Sequence, residues 1–172
     1  VGAGLLVRSL VLVLGVELGF QPARAATIRV DALRQDMAQS ELDAYFDEVL
    51  RLARAIPRVE AAAISDALPL GRNRTWGVRA KDRTYERGVW EQVFVRVVSD
   101  GYAQAMGIPI RMGRDLSERD TARTDPVVVV NDTMARALWP GQDPIGKVLL
   151  GGCAESRTVV VVVGDVRHLA LE

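Results

Sequence analysis

The first half of the chain carries two apolar patterns of different period. From Thr27 to Leu33, apolar residues alternate with charged residues, which predicts a half-buried strand. A helical spacing follows, and Val59–Ser65 is predicted to return as a second strand, so that the three segments would form a β-α-β unit. The helical face consists of Leu42, Tyr45, Phe46, Val49, Ala53 and Ile56.

The ends of this helix are predicted from residues with known capping preferences. Ser40 can accept a hydrogen bond from a first-turn amide, and Asp43 stands at the capping-box position. Pro57 cannot continue a helix and ends it. Asp47 and Arg51 are four residues apart, so we expect them to pair on the exposed face.

The second half consists of short apolar runs separated by polar turns. Ser99 is expected to cap a short helix ended by Gly107, and Asn131 to cap a second helix, DTMARAL. The unbroken valines from Val127 predict a strand buried on both faces, whereas Pro109 predicts an edge strand. The predicted strands are Trp90–Val98, Ile108–Met112, Val127–Val130, VLLGG after Lys147, and Arg157–Val163.

Composition excludes several classes of protein. Of 172 residues, 49% are hydrophobic, which is enough for a sizeable core in one domain or two small lobes. The 22 basic and 22 acidic residues balance, so no net field attracts nucleic acid. With one cysteine and one histidine, the chain cannot form an internal disulfide or a structural zinc site. We therefore expect no metal and no cofactor.

The opening twenty residues are strongly apolar but are interrupted by Arg8 and Glu17, and the chain does not begin with methionine. Neither apolar piece has the roughly 20 residues needed to cross a bilayer. Three interpretations remain open from the residues: a signal peptide cleaved after Ala25, the end of a membrane helix followed by a surface-lying helix, or a buried helix.

The stretch Gly71–Gly88 is rich in arginine and glycine and predicts an exposed hairpin or long loop. Its six basic residues against two acidic ones could attract a partner or anionic lipid, although such a loop can also be merely solvated. The candidate partner surface consists of Arg72, Arg74, Trp76 and Arg79. A second polar turn, Gly113–Asp120, mixes acids with Arg114 and Arg119, so it predicts internal ion pairs and not a calcium loop.

Gly141–Lys147 spells G-x-x-x-x-G-K, which is most of a phosphate-binding loop. Such a loop needs a preceding strand, a following helix, free amides and a hydroxyl after the lysine. Here a predicted helix precedes, a short strand follows, Pro144 removes an amide and Val148 replaces the hydroxyl. The pattern therefore predicts a structural turn anchored by Trp139 and Ile145, with Gly146 at positive φ.

Candidate catalytic residues are few and lack clear partners. A hydrolase or transferase could use His168 with Asp165, Cys153, or Ser65 with Asp66. A lone histidine is more often a surface residue, and Cys153 has no evident cationic neighbour to lower the pKa of its thiol. We therefore expect no catalytic residue and no enzyme activity.

An ordered series of motifs resembles one family. The segments SDGYAQAMGIPIRMGRDLSERD, VVVVNDTMARALWPGQDPIGK and TVVVVVGDVRHLAL are similar to the extracytoplasmic core domain of MacB-like ABC transporter permeases. The likeness is greatest to the duplicated permeases of the FtsX/MacB superfamily. AGLLVRSL and Gly19-Phe20 resemble the end of the first membrane helix and the segment that follows it, and Arg58 stands where a P-G-V segment usually has glycine.

The resemblance implies an α+β fold with a porter-like β-α-β lobe and a smaller mixed lobe. It implies a membrane helix end and juxtamembrane helix over residues 1–20, a porter-like lobe over 21–107 that is incomplete here, and a second lobe over 108–172. It implies a non-catalytic domain in the periplasm, attached to the inner membrane by flanking transmembrane helices. The implied partners are a cytoplasmic ATPase, a second copy of the permease and a periplasmic adaptor, with a role in efflux or export. The alternative is a secreted or lipid-anchored binding protein with a signal peptide.

Overall fold

The structure is a computed structural model that describes residues 18–32, 34, 36–71, 74–121, 123–152 and 155–167. After a 3-10 turn at Pro22–Arg24 come three helices: α1 (Gln39–Arg54), α2 (Tyr102–Met106) and α3 (Asp132–Leu138). Six strands form one sheet: β1 (Arg74–Ala80), β2 (Glu91–Val95), β3 (Ile110–Gly113), β4 (Val127–Asn131), β5 (Val148–Gly151) and β6 (Ser156–Val163). The α+β class is confirmed.

The strand β6 organises the sheet. Its first half pairs antiparallel with β5, its second half pairs antiparallel with β3, and β4 runs parallel to it along the other edge. The strand β1 joins β5 to β2, both antiparallel. The register with β4 skips Val160, and this bulge lets Val159, Val161 and Val162 all reach the interior, each 1% exposed or less.

Two apolar clusters hold the elements together. The larger lies between the sheet and α3 and is centred on Trp139, which is 1% exposed. Its other buried members are Ala80, Val130, Ala135, Leu138, Leu149, Val159 and Val162. The smaller cluster consists of Ala103 and Met106 of α2 and of Ile108 just beyond it, and Phe20 and the end of β6 pack against it. Each short helix is therefore fixed by packing and not by its own propensity.

The long helix α1 is correctly predicted in place but not in its contacts. It begins at Gln39, and Glu41 accepts a hydrogen bond from the Ala38 amide at 3.0 Å, so Ser40 is not the N-cap. Arg51 pairs with Glu48 at 2.6 Å and not with Asp47, since the i,i+3 partner lies closer to its guanidinium. Leu50 is the buried residue of this helix.

The predicted strands on either side of α1 are wrong for the described residues. Residues 27–32 form no strand, and Ile28 is 84% exposed; Leu33 lies outside the described residues. Between Val59 and Ser65 there is a single bridge, from Ser65 to Val98. A strand needs a hydrogen-bonding neighbour, and within the described ranges neither segment has one along its length. The β-α-β unit is therefore not formed.

Smaller corrections concern the second half. Val130 is buried, but Val127–Val129 are half-buried because β4 lies at an edge of the sheet. Gly101 and not Ser99 is the N-cap of α2, whereas Gly107 ends it with φ +65° as predicted. The cap of α3 is confirmed, with the Asn131 side chain accepting from the Met134 amide at 3.2 Å.

The division of the chain into lobes at residue 107 stays a prediction. The sheet itself contains strands from both sides of that boundary, since β1 pairs with β5. Residues 1–17, which carry most of the apolar opening, lie outside the described residues. Among the helices of the described residues, none combines the length and hydrophobicity that a membrane crossing requires.

Candidate functional site

The basic stretch contributes a strand to the sheet. Gly71–Gly88 contains all of β1, and its Val78 and Ala80 are core residues, 5% and 1% exposed. The prediction of an exposed hairpin or loop within this stretch is wrong, since β1 pairs with β2, which lies beyond Gly88, and part of β1 is buried. Its low content of apolar residues was misleading, because one buried strand face needs only alternate positions.

The arginines of the candidate partner surface make internal contacts. Arg74 forms an ion pair with Asp66. Arg79 stacks on the Trp90 ring with 4.2 Å between its guanidinium carbon and the ring centre, and it donates to the Val89 carbonyl. Arg72 lies outside the described residues. The guanidinium groups of Arg74 and Arg79 therefore already have partners within the domain.

Trp76 is held in the same way on the other side of the strand. Arg157 lies over its ring at 5.0 Å and donates to the Gly151 carbonyl at 2.6 Å. The ring edge lies against Gly152, where a Cβ atom would come within 2.5 Å of it. The Trp90 ring, which carries Arg79, lies in the same way against Gly151, where a Cβ atom would come within 2.9 Å of it. Two tryptophans that are each stacked by an arginine therefore hold the end of β5.

The G-x-x-x-x-G-K turn is structural, as predicted. It follows α3 and precedes β5, the reverse of a phosphate-binding loop. The amides of Gln142, Ile145, Gly146 and Lys147 donate to acceptors within the chain, at distances from 2.8 to 3.1 Å. Gly146 has φ +79°, and Ile145 packs on the large cluster. Amides that are already bonded cannot hold a phosphate.

Asp82 links this turn to β1, and the sequence did not single it out. Its carboxylate accepts from the Trp139 indole at 2.9 Å and from the Lys147 ammonium at 2.5 Å, and Lys147 also donates to Gln142 at 2.8 Å. The bonds from Lys147 and then Trp139 lower the pKa of Asp82. The available signal was that Asp82 is one of only two acidic residues in a basic stretch.

A shallow open depression of about 450 Å³ lies beside this ion pair. It is lined by Lys81, Asp82, Gly146, Lys147 and Val148. The lysine most suited to an anion is already neutralised by Asp82. The ammonium of Lys147 is therefore not free to anchor a phosphate group in this depression.

The turn Gly113–Asp120 is closed by the predicted internal ion pair. Arg114 contacts both oxygens of Asp120 at 2.6 Å, and the Ser117 amide donates to the same carboxylate at 2.9 Å. These bonds, led by Arg114, hold the pKa of Asp120 well below its usual range. Among the described residues, no group of three His, Cys, Asp or Glu side chains could hold a metal ion.

The catalytic candidates are not brought together in the described ranges. The Ser65 hydroxyl donates to the Ala67 carbonyl at 2.6 Å, while the neighbouring Asp66 accepts from the Val97 amide at 2.9 Å. Asp165 accepts from Asn131 and Thr133, and these bonds outweigh burial and lower its pKa. His168 and Cys153 lie outside the described residues.

Comparison with known proteins identifies the domain type. Residues 2–166 match the model of the MacB-like periplasmic core domain. No curated protein matched this chain.

Two solved structures match part of this chain. The periplasmic region of MacB from Actinobacillus actinomycetemcomitans is 16% identical, with a TM-score of 0.48, over 66% of this chain and 49% of that one. The extracellular domain of YknZ, a noncanonic ABC-type transporter from Gram-positive bacteria, is 16% identical, with a TM-score of 0.49, over 69% and 57%. This chain thus spans about half the length of those domains. The assignment rests on the family match: the chain belongs to the MacB-like periplasmic core domain family.

Proposed function

We propose that this chain is the extracytoplasmic core domain of an ABC transporter permease, and that it relays conformational change from the membrane to substrates or partner proteins outside in efflux or export. The observation that carries the proposal is the family match, which extends over residues 2–166. The domain binds no cofactor and catalyses no reaction; ATP is consumed elsewhere in the transporter.

The polar contacts of the structure support a mechanical role. Lys147 and Asp82 neutralise each other, Arg114 and Asp120 close a turn, and Asp165 is held by three donors. A catalytic group needs a reacting atom that is open to substrate. Charged side chains that are paired within the domain stiffen the sheet and its turns, and this stiffness suits a domain that moves as a rigid body.

The partners follow from the same proposal. Transmembrane helices flanking the domain attach it to the inner membrane, facing the periplasm. A cytoplasmic ATPase drives the permease, which works as a homodimer and meets a periplasmic adaptor. The porter-like lobe spans residues 21–107 and the second lobe 108–172, with Arg72, Arg74, Trp76 and Arg79 bordering the partner surface.

Cysteine labelling of the full-length protein in intact cells tests the location of the domain. In a Cys153→Ser background, Glu118→Cys places a thiol at a side chain that is 86% exposed. We expect a membrane-impermeant maleimide to label it once the outer membrane is made permeable. Leu149→Cys, at a 3% exposed residue, is the matched control and should stay unlabelled. Labelling of Glu118→Cys only after lysis of the inner membrane would contradict the proposal.

Fractionation distinguishes the permease from a secreted binding protein. A permease stays in the inner membrane after carbonate extraction and purifies with vanadate-sensitive ATP hydrolysis. Release of a soluble protein by osmotic shock, with a mature N-terminus just after Ala25, would favour the secreted alternative. Hydrolase activity abolished by His168→Ala would favour an enzyme.

A further inference from the structure

The segment Leu18–Gln21 is bonded at both ends to parts of the chain that are distant in sequence. The Leu18 carbonyl accepts from the Arg167 amide at 3.0 Å, and the Gln21 amide donates to the Met106 carbonyl at 2.9 Å. The first bond reaches the segment that follows β6, and the second reaches the last turn of α2. The chain therefore enters the described domain at the point where the sheet's central strand ends.

The two residues between these bonds are tightly packed. Gly19 has φ +78°, and a Cβ atom there would lie 1.9 Å from the Asp165 carbonyl oxygen. Phe20 packs on the small cluster, which includes Ala103 and Met106 of α2, and Val163 and Val166 pack on the same cluster. A side chain at position 19 could not be accommodated without moving the backbone of residue 165. The fit leaves little room for the two segments to slide past each other.

The contacts continue from this point into the sheet. The Asp165 carboxylate accepts from the side-chain amide of Asn131 at 2.5 Å, and from the backbone amide and hydroxyl of Thr133 at 3.0 and 2.8 Å. It thereby joins the start of α3 to the end of β6. The Gly164 amide donates to the Pro109 carbonyl at 2.8 Å, which joins the start of β3.

The covalent path that continues from Gln21 is packed far more loosely. Residues 25–32 form no helix or strand, and most are exposed. The ion pair of Arg24 with Glu60 joins two exposed side chains, and such pairs contribute little. The next close polar link to the sheet side comes only at the last residue of α1, where Arg54 pairs with Asp100 at 2.9 Å. This path therefore offers fewer close contacts through which a displacement could reach the sheet.

We propose that residues Leu18–Gln21 and Gly164–Arg167 form a junction through which movement of the chain ahead of Leu18 passes directly to the sheet. This inference rests on the relay proposed above and gives its route. Phe20 and Asp165 are the positioning residues: Phe20 seats the entering segment on α2, and Asp165 connects it to β4 and α3. The movement passes by contact, and the covalent path through α1 is not needed.

Hydrogen–deuterium exchange tests the route without knowledge of the substrate. The full-length permease with its ATPase is compared with no nucleotide and with ATP plus vanadate. In the unmodified protein we expect a nucleotide-dependent change in exchange at the amides of β6 and α3. If the unmodified protein shows no such change, the relay itself fails, whatever its route.

Three variants separate the two routes. Phe20→Ala should abolish the nucleotide-dependent change at β6 and α3, and Phe20→Leu should restore it. Phe94→Ala is the matched control because Phe94 is 42% exposed and far from the junction in the strand order. A flexible Gly-Ser-Gly-Ser insertion between Gln21 and Pro22 should leave the nucleotide-dependent change in exchange intact, since it loosens only the covalent path toward α1.

The opposite pattern would overturn the inference. If Phe20→Ala retains the change and the insertion abolishes it, movement travels along the chain through α1. Should Phe20→Ala lose protection even without nucleotide, it is unfolded, and the insertion alone decides between the routes. Asp165→Asn gives an independent reading: it should weaken the change in α3 while the Gln21 amide keeps its protection.

Discussion

Replacing Trp139 by alanine should destabilise this domain far more than the same change at Trp90. Trp139 is 1% exposed and lies at the centre of the large cluster, whereas Trp90 is 43% exposed and rests on the sheet under Arg79. The comparison keeps the chemistry of the substitution constant. It varies only burial and the polar partner.

The magnitude follows from the area that each ring removes from water. A tryptophan buries up to about 250 Å², and about 25 cal/mol per Å² gives roughly 6 kcal/mol at full burial and roughly 3.5 kcal/mol for a ring that is 43% exposed. These are upper values because the unfolded chain already covers part of this surface. Measured Trp→Ala losses in cores are about 3–5 kcal/mol. We therefore expect about 4–5 kcal/mol at Trp139 and about 2 kcal/mol at Trp90.

Equilibrium urea unfolding followed by circular dichroism measures both losses. At a slope of about 2 kcal/mol per M, Trp139→Ala should lower the midpoint by about 2 M, or leave the domain unfolded without urea. Trp139→Phe retains most of the packing and should cost about 1–2 kcal/mol, much of it from the lost bond to Asp82. If Trp139→Ala costs no more than Trp90→Ala, the cluster is not the core that holds α3 to the sheet.

Four further predictions test single contacts, each with urea midpoints unless stated. Arg58 has φ +74°, so Arg58→Gly should remove backbone strain and stabilise the domain by about 0.5–1 kcal/mol, while a loss would show that the strain is compensated. Asp165→Ala should cost about 1–2 kcal/mol and the exposed Asp125→Ala almost nothing; equal losses would deny Asp165 its role in fixing α3. The pKa of Asp120 is lowered from 3.8, so its stabilising effect is fully present above that pH and is lost progressively as the pH falls toward the lower pKa of the folded state. The difference in stability between wild type and Asp120→Asn should therefore begin to narrow below about pH 4, and a difference independent of pH would contradict the ion pair. Lys147→Ala should cost under about 1 kcal/mol, and calorimetry should detect no MgATP binding in either protein; binding lost on substitution would restore the phosphate-loop interpretation.

The second half of the fold was predictable because its signals are local. The capping by Asn131, the positive φ of Gly107 and Gly146, and the burial of Trp139 all follow from residue type and near neighbours. Arg58 shows the same principle in reverse. The resemblance placed it where glycine is usual, and the backbone there has the left-handed conformation that glycine adopts easily.

The first half was harder because a strand is defined by its partner. The alternation in Thr27–Leu33 and the apolar run in Val59–Ser65 fit a strand, but sequence periodicity cannot supply a neighbour to bond with. The bulge at Val160 was equally hidden, since a run of five valines has no periodic signal from which a register shift could be inferred. Pairing between distant segments decided both outcomes.

The basic stretch and the G-x-x-x-x-G-K turn, which carry the most suggestive charged residues of the sequence, bind to each other. The basic stretch Gly71–Gly88 offers Asp82 to Trp139 and Lys147 of the G-x-x-x-x-G-K turn, at 2.9 and 2.5 Å. From the same stretch, Arg83 donates to the carbonyls of Ala137 and Leu138, at 2.8 and 3.3 Å, where the last turn of α3 leaves its acceptors unpaired.

Lys147 of the G-x-x-x-x-G-K turn and Arg83 of the basic stretch thus both help to attach α3 and the turn after it to the end of β1. Asp82 reaches the indole and the ammonium from a single turn, so removing it would release both groups at once. A basic residue marks an interaction surface only when its charge is still available to a partner. The groups that occupy Lys147 and Arg83 lie more than fifty residues away in the chain, so composition and local motif could not show that these two charges are already paired within the domain.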